Sequence, residues 1–156
     1  MIVSMKTGHN PLLLLTVIVL LGLIGPISCS KKAAENTLLV ENAFIKKMPP
    51  GQSAAAVYLT LQNTTGRPQE LGYVYSPIAE HVALHRNFYE QGKMVMRPVK
   101  HLTVDPYEKL VFDPGGYHLM VFGLYNDLAV GESFELIMEF RSGEVKTVQV
   151  VVRRHG

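Results

Sequence analysis

The sequence predicts an all-β domain, an antiparallel β-sandwich or Greek-key barrel of about eight short strands. Three observations carry that expectation. Segments of strand-forming residues recur from Leu38 onward, separated by turns rich in Gly, Pro and Asn. Several of these segments alternate between two faces residue by residue, as a half-buried strand must. Nothing after Cys29 sustains the period of an amphipathic helix.

Residues 1–10 are mostly polar and weakly basic, with Lys6 and His9. The apolar run LLLLTVIVLLGLI follows at 12–24. It is short for a membrane-spanning helix and suits the core of a signal peptide. Ser28, a small residue, stands directly before Cys29 at the end of this run. That arrangement resembles the lipobox of bacterial lipoproteins, in which the cysteine is lipidated and becomes the new N-terminus. Pro26 occupies the place where leucine is usual. The expectation is a lipoprotein-type signal peptide at 1–28, a polar tether at 29–36 and an exported domain at 37–154. The protein is then extracytoplasmic, or periplasmic, and held to the membrane through a lipid on Cys29; the plainer readings, an uncleaved anchor or ordinary cleavage nearby, also export the domain.

Within the domain, LLVENAFI (38–45) is the first strand, closed by Met48-Pro49-Pro50-Gly51. AAAVYLTL (54–61) is almost continuously apolar, as in a strand covered on both faces. LGYVYS (71–76) follows the loop around Asn63-Thr64-Thr65-Gly66, and Pro77 ends it. His81 to Tyr89 alternates: Val82, Leu84, Arg86 and Phe88 share one face; His81, Ala83, His85, Asn87 and Tyr89 share the other. Gln91 and Gly92 read as a two-residue hairpin loop. That register sets Tyr89 opposite Met94 and Asn87 opposite Met96, leaving His85 and Met96 diagonal neighbours at roughly 7–8 Å. Short strands at 101–104 and 108–113 flank Asp105-Pro106. YHLMVFGL (117–124) leaves the sharp turn Pro114-Gly115-Gly116 and displays His118 and Met120 on one face, with His118 near the strand mouth. A last hairpin joins SFELIMEF (133–140) to VKTVQVVV (145–152), with Phe134, Leu136, Met138 and Phe140 inward against Val148, Val150 and Val152.

Composition narrows the function. Beyond Cys29 the chain carries 14 basic and 13 acidic side chains, a balance that gives no reason to expect nucleic acid. One cysteine excludes an internal disulfide framework and any site needing two thiolates. No nucleophile–base pair or open three-histidine site is evident, so the chain does not read as an enzyme. Asp105, Glu108 and Asp113 form no catalytic pair, and the Asn63-Thr64-Thr65 sequon carries little weight in a bacterial lipoprotein.

His85, Met96, His118 and Met120 stand out as one set. Singly, a strand histidine is usually structural and a methionine usually fills a core. Together they supply two imidazoles and two thioethers, a soft and uncharged donor set suited to monovalent copper over zinc, calcium or magnesium. Met94 shares the strand face of Met96 and has two readings, an auxiliary ligand or, more plainly, a packing residue. His81 shares the face of His85 but lies four residues away. His101 and His155 have no visible partner, and His9 falls in the segment expected to be removed.

The spacing His-x10-Met-x21-His-x-Met resembles the signature of the PCuAC-type periplasmic copper chaperones. MVMRPV (94–99), PGGYHLMVFGL (114–124) and NAFIKKMPPGQSAAAVYLTLQN (42–63) resemble the family's surrounding segments, and the likeness covers residues 38–152. It implies a cupredoxin-like β-sandwich that binds Cu(I) through His85, Met96, His118 and Met120. It also implies delivery to a cuproprotein such as the Cu(A) subunit of cytochrome c oxidase, often with a Sco-type partner. Two departures matter. Arg86 and Asn87 stand where many members have a methionine after the first histidine, and Arg153-Arg154-His155-Gly156 offers no His- and Met-rich extension for Cu(II). Other readings are copper storage or resistance and a metal-free structural envelope sandwich. An electron-transfer cupredoxin needs a cysteine ligand, and Cys29 lies in the export segment.

Overall fold

The computed structural model describes residues 36–154. The apolar run, Cys29 and residues 30–35 of the tether lie outside the described residues, as do His155 and Gly156. The regular elements are strands: β1 Leu38–Lys46, β2 Ala54–Asn63, β3 Gln69–Tyr75, β4 Ala79–Glu90, β5 Lys93–Pro98, β6 Leu102–Val104, β7 Lys109–Val111, β8 Tyr117–Leu124, β9 Ser133–Phe140 and β10 Val145–Arg153. They coincide with the segments expected as strands. There are ten among the described residues, because the hairpin arm β5 and the three-residue strands β6 and β7 each pair separately.

The strands lie in the order β5-β4-β8-β2-β1-β10-β9-β3-β6, with β7 pairing on β2 beside β8. Every pairing is antiparallel except β1 with β10, which run parallel with Phe44 opposite Val151 and Ile45 opposite Val152. The first and last strands thus meet mid-sheet. The path curls over so that β3 approaches β4, and the two halves enclose one core.

That core follows from strand alternation. Val57, Leu59 and Leu61 of β2, Leu119 and Val121 of β8, and Phe134, Leu136, Met138 and Phe140 of β9 are buried together with Val150 and Val152. Val148 packs against the cluster from its margin. Each large apolar side chain in this set contributes on the order of 1.5–3 kcal/mol by leaving water.

β1 breaks its own alternation. Glu41 pairs Thr60 and Phe44 pairs Tyr58, so the strand carries one extra residue there. Asn42 takes φ 54° at this bulge, a left-handed conformation that asparagine tolerates better than most residues. The phase flips. Leu38 before it, and Ala43 and Ile45 after it, face the core, while Phe44 turns outward against the Tyr58 ring at 5.5 Å.

Candidate metal centre

Three neighbouring strands, β5, β4 and β8, display the site on one outer face. The β4–β5 hairpin has the expected register: Glu90 pairs Lys93, Tyr89 pairs Met94 and Asn87 pairs Met96. Its loop residues have φ 49° at Gln91 and φ 79° at Gly92, the positive values that a two-residue loop between twisted strands requires. On the other side of β4, His85 pairs His118, Ala83 pairs Met120 and His81 pairs Phe122.

The two imidazoles stack with centroids 6.1 Å apart and planes 20° from parallel. Met96 reaches over from the hairpin, and its Sδ lies 3.1 Å from His118 Nε2. Met120 lies between two small neighbours, Ala83 on β4 and Ala56 on β2. Bulkier residues there would hem in the thioether. The structure therefore joins His85, His118 and Met96 by direct approach, and adds Met120 by register on the same face.

Both histidines are oriented alike. His118 Nδ1 lies 3.2 Å from the Gly116 carbonyl and His85 Nδ1 lies 3.3 Å from the Ala83 carbonyl. A carbonyl can only accept, so in the neutral tautomer that makes these contacts Nδ1 carries the proton and Nε2 is the nitrogen with the lone pair. The Gly116 carbonyl also accepts from the Asn87 backbone N–H at 3.1 Å, and the Asn87 side-chain amide donates to the Pro114 carbonyl at 2.5 Å. Asn87 thus ties the hairpin to the turn that orients His118. The turn itself is closed by the Asp113 carboxylate, which accepts from Gly115 N–H at 2.8 Å. A Cβ on Gly116 would lie 3.1 Å from that carboxylate oxygen, so the turn is built around a glycine.

His118 follows the turn as expected, but it is only 3% exposed, since β2, β4 and the Met96 side chain cover it. Burial pushes its pKa below the ordinary histidine value; neighbouring His85 adds to the shift, and the bond to Gly116 opposes it. The shift favours the neutral ring, the form that binds a metal. Among the described residues no group of three or more His, Cys, Asp and Glu side chains is arranged to hold a metal ion. The donor set here has the mixed nitrogen and thioether character that favours soft monovalent ions.

The remaining candidates separate clearly. His81 stacks on Phe122 at 4.7 Å, and the same Phe122 ring meets His85 edge-on at 6.0 Å. Phe122 thus stands between the two histidines. Met94 is 59% exposed and lies outside the core cluster, so of its two readings the packing role finds no support in the core. Arg86 lies over the Tyr117 ring at 4.7 Å and the Phe88 ring at 5.2 Å. His101, expected to lack a partner, sits 3.2 Å from Glu70, which also pairs with Arg141. Glu108 accepts from Asp105 N–H and shapes its own loop. Asn87 and Gly116 are supporting residues that sequence reasoning missed; the Gly-Gly turn before His118 was the one signal that could have led to them.

The family model "Putative lipoprotein LpqE-like" matches residues 38–152. The chain belongs to the LpqE-like family. A curated relative of this LpqE-like chain, "Uncharacterized protein RP573" of Rickettsia prowazekii (strain Madrid E), is 28% identical over 101 residues. That match covers 64% of this chain and 56% of the relative, so the chain spans about half the length of the curated relative it matches. Among solved structures, the LpqE-like domain resembles the solution structure of CuI-DR1885 from Deinococcus radiodurans. The TM-score is 0.64 at 26% identity, over 80% of this chain and 85% of that one. The copper-bound PCuAC domain from PmoF2 gives the same TM-score, 0.64, at 19% identity, over 76% and 93% of the two chains. The LpqE-like domain thus shares the cupredoxin-like β-fold of the PCuAC domain.

Proposed function

We propose that this chain is an extracytoplasmic copper chaperone. It binds one Cu(I) ion through His85, Met96, His118 and Met120 and hands it to a cuproprotein. The Cu(A) centre of cytochrome c oxidase is the foremost acceptor, with a Sco-type protein as the companion. A lipid on Cys29 holds the domain at the membrane surface, in keeping with the lipoprotein description of its family. The observation that carries the reading is the 3.1 Å approach of Met96 Sδ to His118 Nε2, with both imidazoles turned by backbone carbonyls so that Nε2 is free.

The donor set suits transport. Thioethers have no proton to lose, so their binding is insensitive to acid, and a buried neutral imidazole resists protonation. The site opens at Met96, which is 48% exposed, so an incoming thiolate can replace the ligands one at a time. The test is a Cu(I) titration against a chromophoric chelator, comparing the parent with a Met96→Ala, Met120→Ala double variant. One tight equivalent in the parent, weakened by roughly 100-fold or more in the variant, is expected. Equal binding by both proteins would sink the assignment. For delivery, a trapped mixed-ligand complex with a Cys-bearing acceptor is expected; transfer only through free copper would make the protein a store.

A further inference from the structure

We infer that Met94 is a transit ligand, which Cu(I) meets before Met96 and His118 on entering the site and after them on leaving it. The inference rests on the copper reading of the site and adds the route by which the ion is exchanged.

An exposed methionine is unremarkable alone. Met94 is set apart by its position. It lies two residues from Met96 on the same strand, so both side chains leave the same face, about 6.6 Å apart along the backbone. Exposure falls in order along this line: Met94 59%, Met96 48%, His118 3%. Soft donors therefore lead from solvent to the buried imidazole in steps that flexible thioether side chains can span. Tyr89, directly opposite Met94 and 77% exposed, gives the outermost step one apolar wall. β5 is the terminal strand of the sheet, with β4 as its sheet neighbour. An approaching acceptor thus meets Met94 first.

Cu(I) tolerates low coordination numbers and thioether ligands. A pair formed by Met94 and Met96 holds the ion while the histidines are released, leaving it open to a partner's thiolate. No electron moves: the Cu–N bonds to His85 and His118 and the Cu–S bond to Met120 break, while Cu–S bonds to Met94 and then to the partner's thiolate form, and copper stays Cu(I) throughout. Met94 then lowers the barrier to exchange and leaves the resting affinity to the four inner donors.

The experiment compares the full chain with its Met94→Leu variant, which keeps the apolar volume and removes the sulfur. Equilibrium affinity is measured by competition, and the rate of Cu(I) loss to excess bathocuproine disulfonate by stopped flow. Affinity within about threefold of the parent and transfer slowed by roughly fivefold or more are expected. In the parent, the Met94 methyl NMR signal broadens while chelator is turning copper over. Parent and variant releasing copper equally fast would overturn the transit role alone. A variant that loses more than about tenfold in affinity would make Met94 a resident ligand and also overturn it. No copper uptake by the parent would overturn the site itself, and this inference with it.

Discussion

At the scale of single residues, two buried polar groups do different work. Asn63 is 0% exposed. Its amide nitrogen shares its hydrogens among the carbonyls of Arg67, Val104 and Asp105 at 2.7, 3.1 and 3.0 Å. Its oxygen accepts from Thr65 N–H at 2.9 Å and the Thr65 hydroxyl at 2.7 Å. The sequon asparagine is a hub joining the end of β2 to two loops, and no glycan fits on it in the folded protein. Asn63→Ala strands several of these groups, and each stranded group costs about 1–3 kcal/mol when buried. We expect a loss of roughly 3 kcal/mol in denaturant unfolding, partly relieved by entering water; a loss below about 1 kcal/mol would show the network to be dispensable. His118 makes a pH prediction. Its folded pKa lies below the ordinary histidine value because of burial, so the unfolded chain takes up the proton first as pH falls. This contribution to apo stability is complete above about pH 6.5 and declines as pH falls toward the depressed folded value. Urea unfolding at stepped pH checks it, with His118→Gln expected to flatten the slope over that window.

At the scale of elements, the β4–β5 hairpin is the least supported part of the site. β5 is mostly exposed, and the Arg97–Glu90 ion pair bracing it, at 2.7 Å, lies at the surface. Local opening is expected to be easiest in such a segment. Its loop holds Gln91 at φ 49°, where asparagine is more at ease. Gln91→Asn is therefore expected to stabilise the hairpin by about 0.5 kcal/mol. Hydrogen exchange should show slower exchange of β5 amides, with the β9–β10 amides unchanged. Faster exchange in β5 would mean that the loop is not a positive-φ turn.

At the scale of the whole molecule, the site and the fold are thermodynamically linked. The four candidate donors come from three strands that pair only in the native state, so on the proposed reading Cu(I) held by them favours the folded chain over the unfolded one. At free Cu(I) about 1,000-fold above Kd, stabilisation of about 4 kcal/mol follows. Thermal unfolding should shift upward with Cu(I) in the parent and return on adding a chelator. The Met96→Ala, Met120→Ala variant should show little shift. An equal shift in both would place copper elsewhere.

The sequence by itself determined what local chemistry can determine. Alternation over 81–89 set the two faces of β4, Gln91-Gly92 set the hairpin register, and His118-x-Met120 put two donors on one side of β8. These features depend on residues within a few positions of one another, and the same locality made the four candidate donors legible. The tertiary structure decided the rest, because it rests on contacts between residues far apart in the chain. The parallel pairing of β1 with β10 joins the two ends of the domain. The bulge at Asn42 turns Phe44 outward, where it meets Tyr58 on β2. Phe122 separates His81 from His85, and the Gly116 carbonyl, held by Asn87 from another strand, fixes which nitrogen of His118 is free. A strand pattern says which way a side chain points; only the assembled sheet says what it meets there.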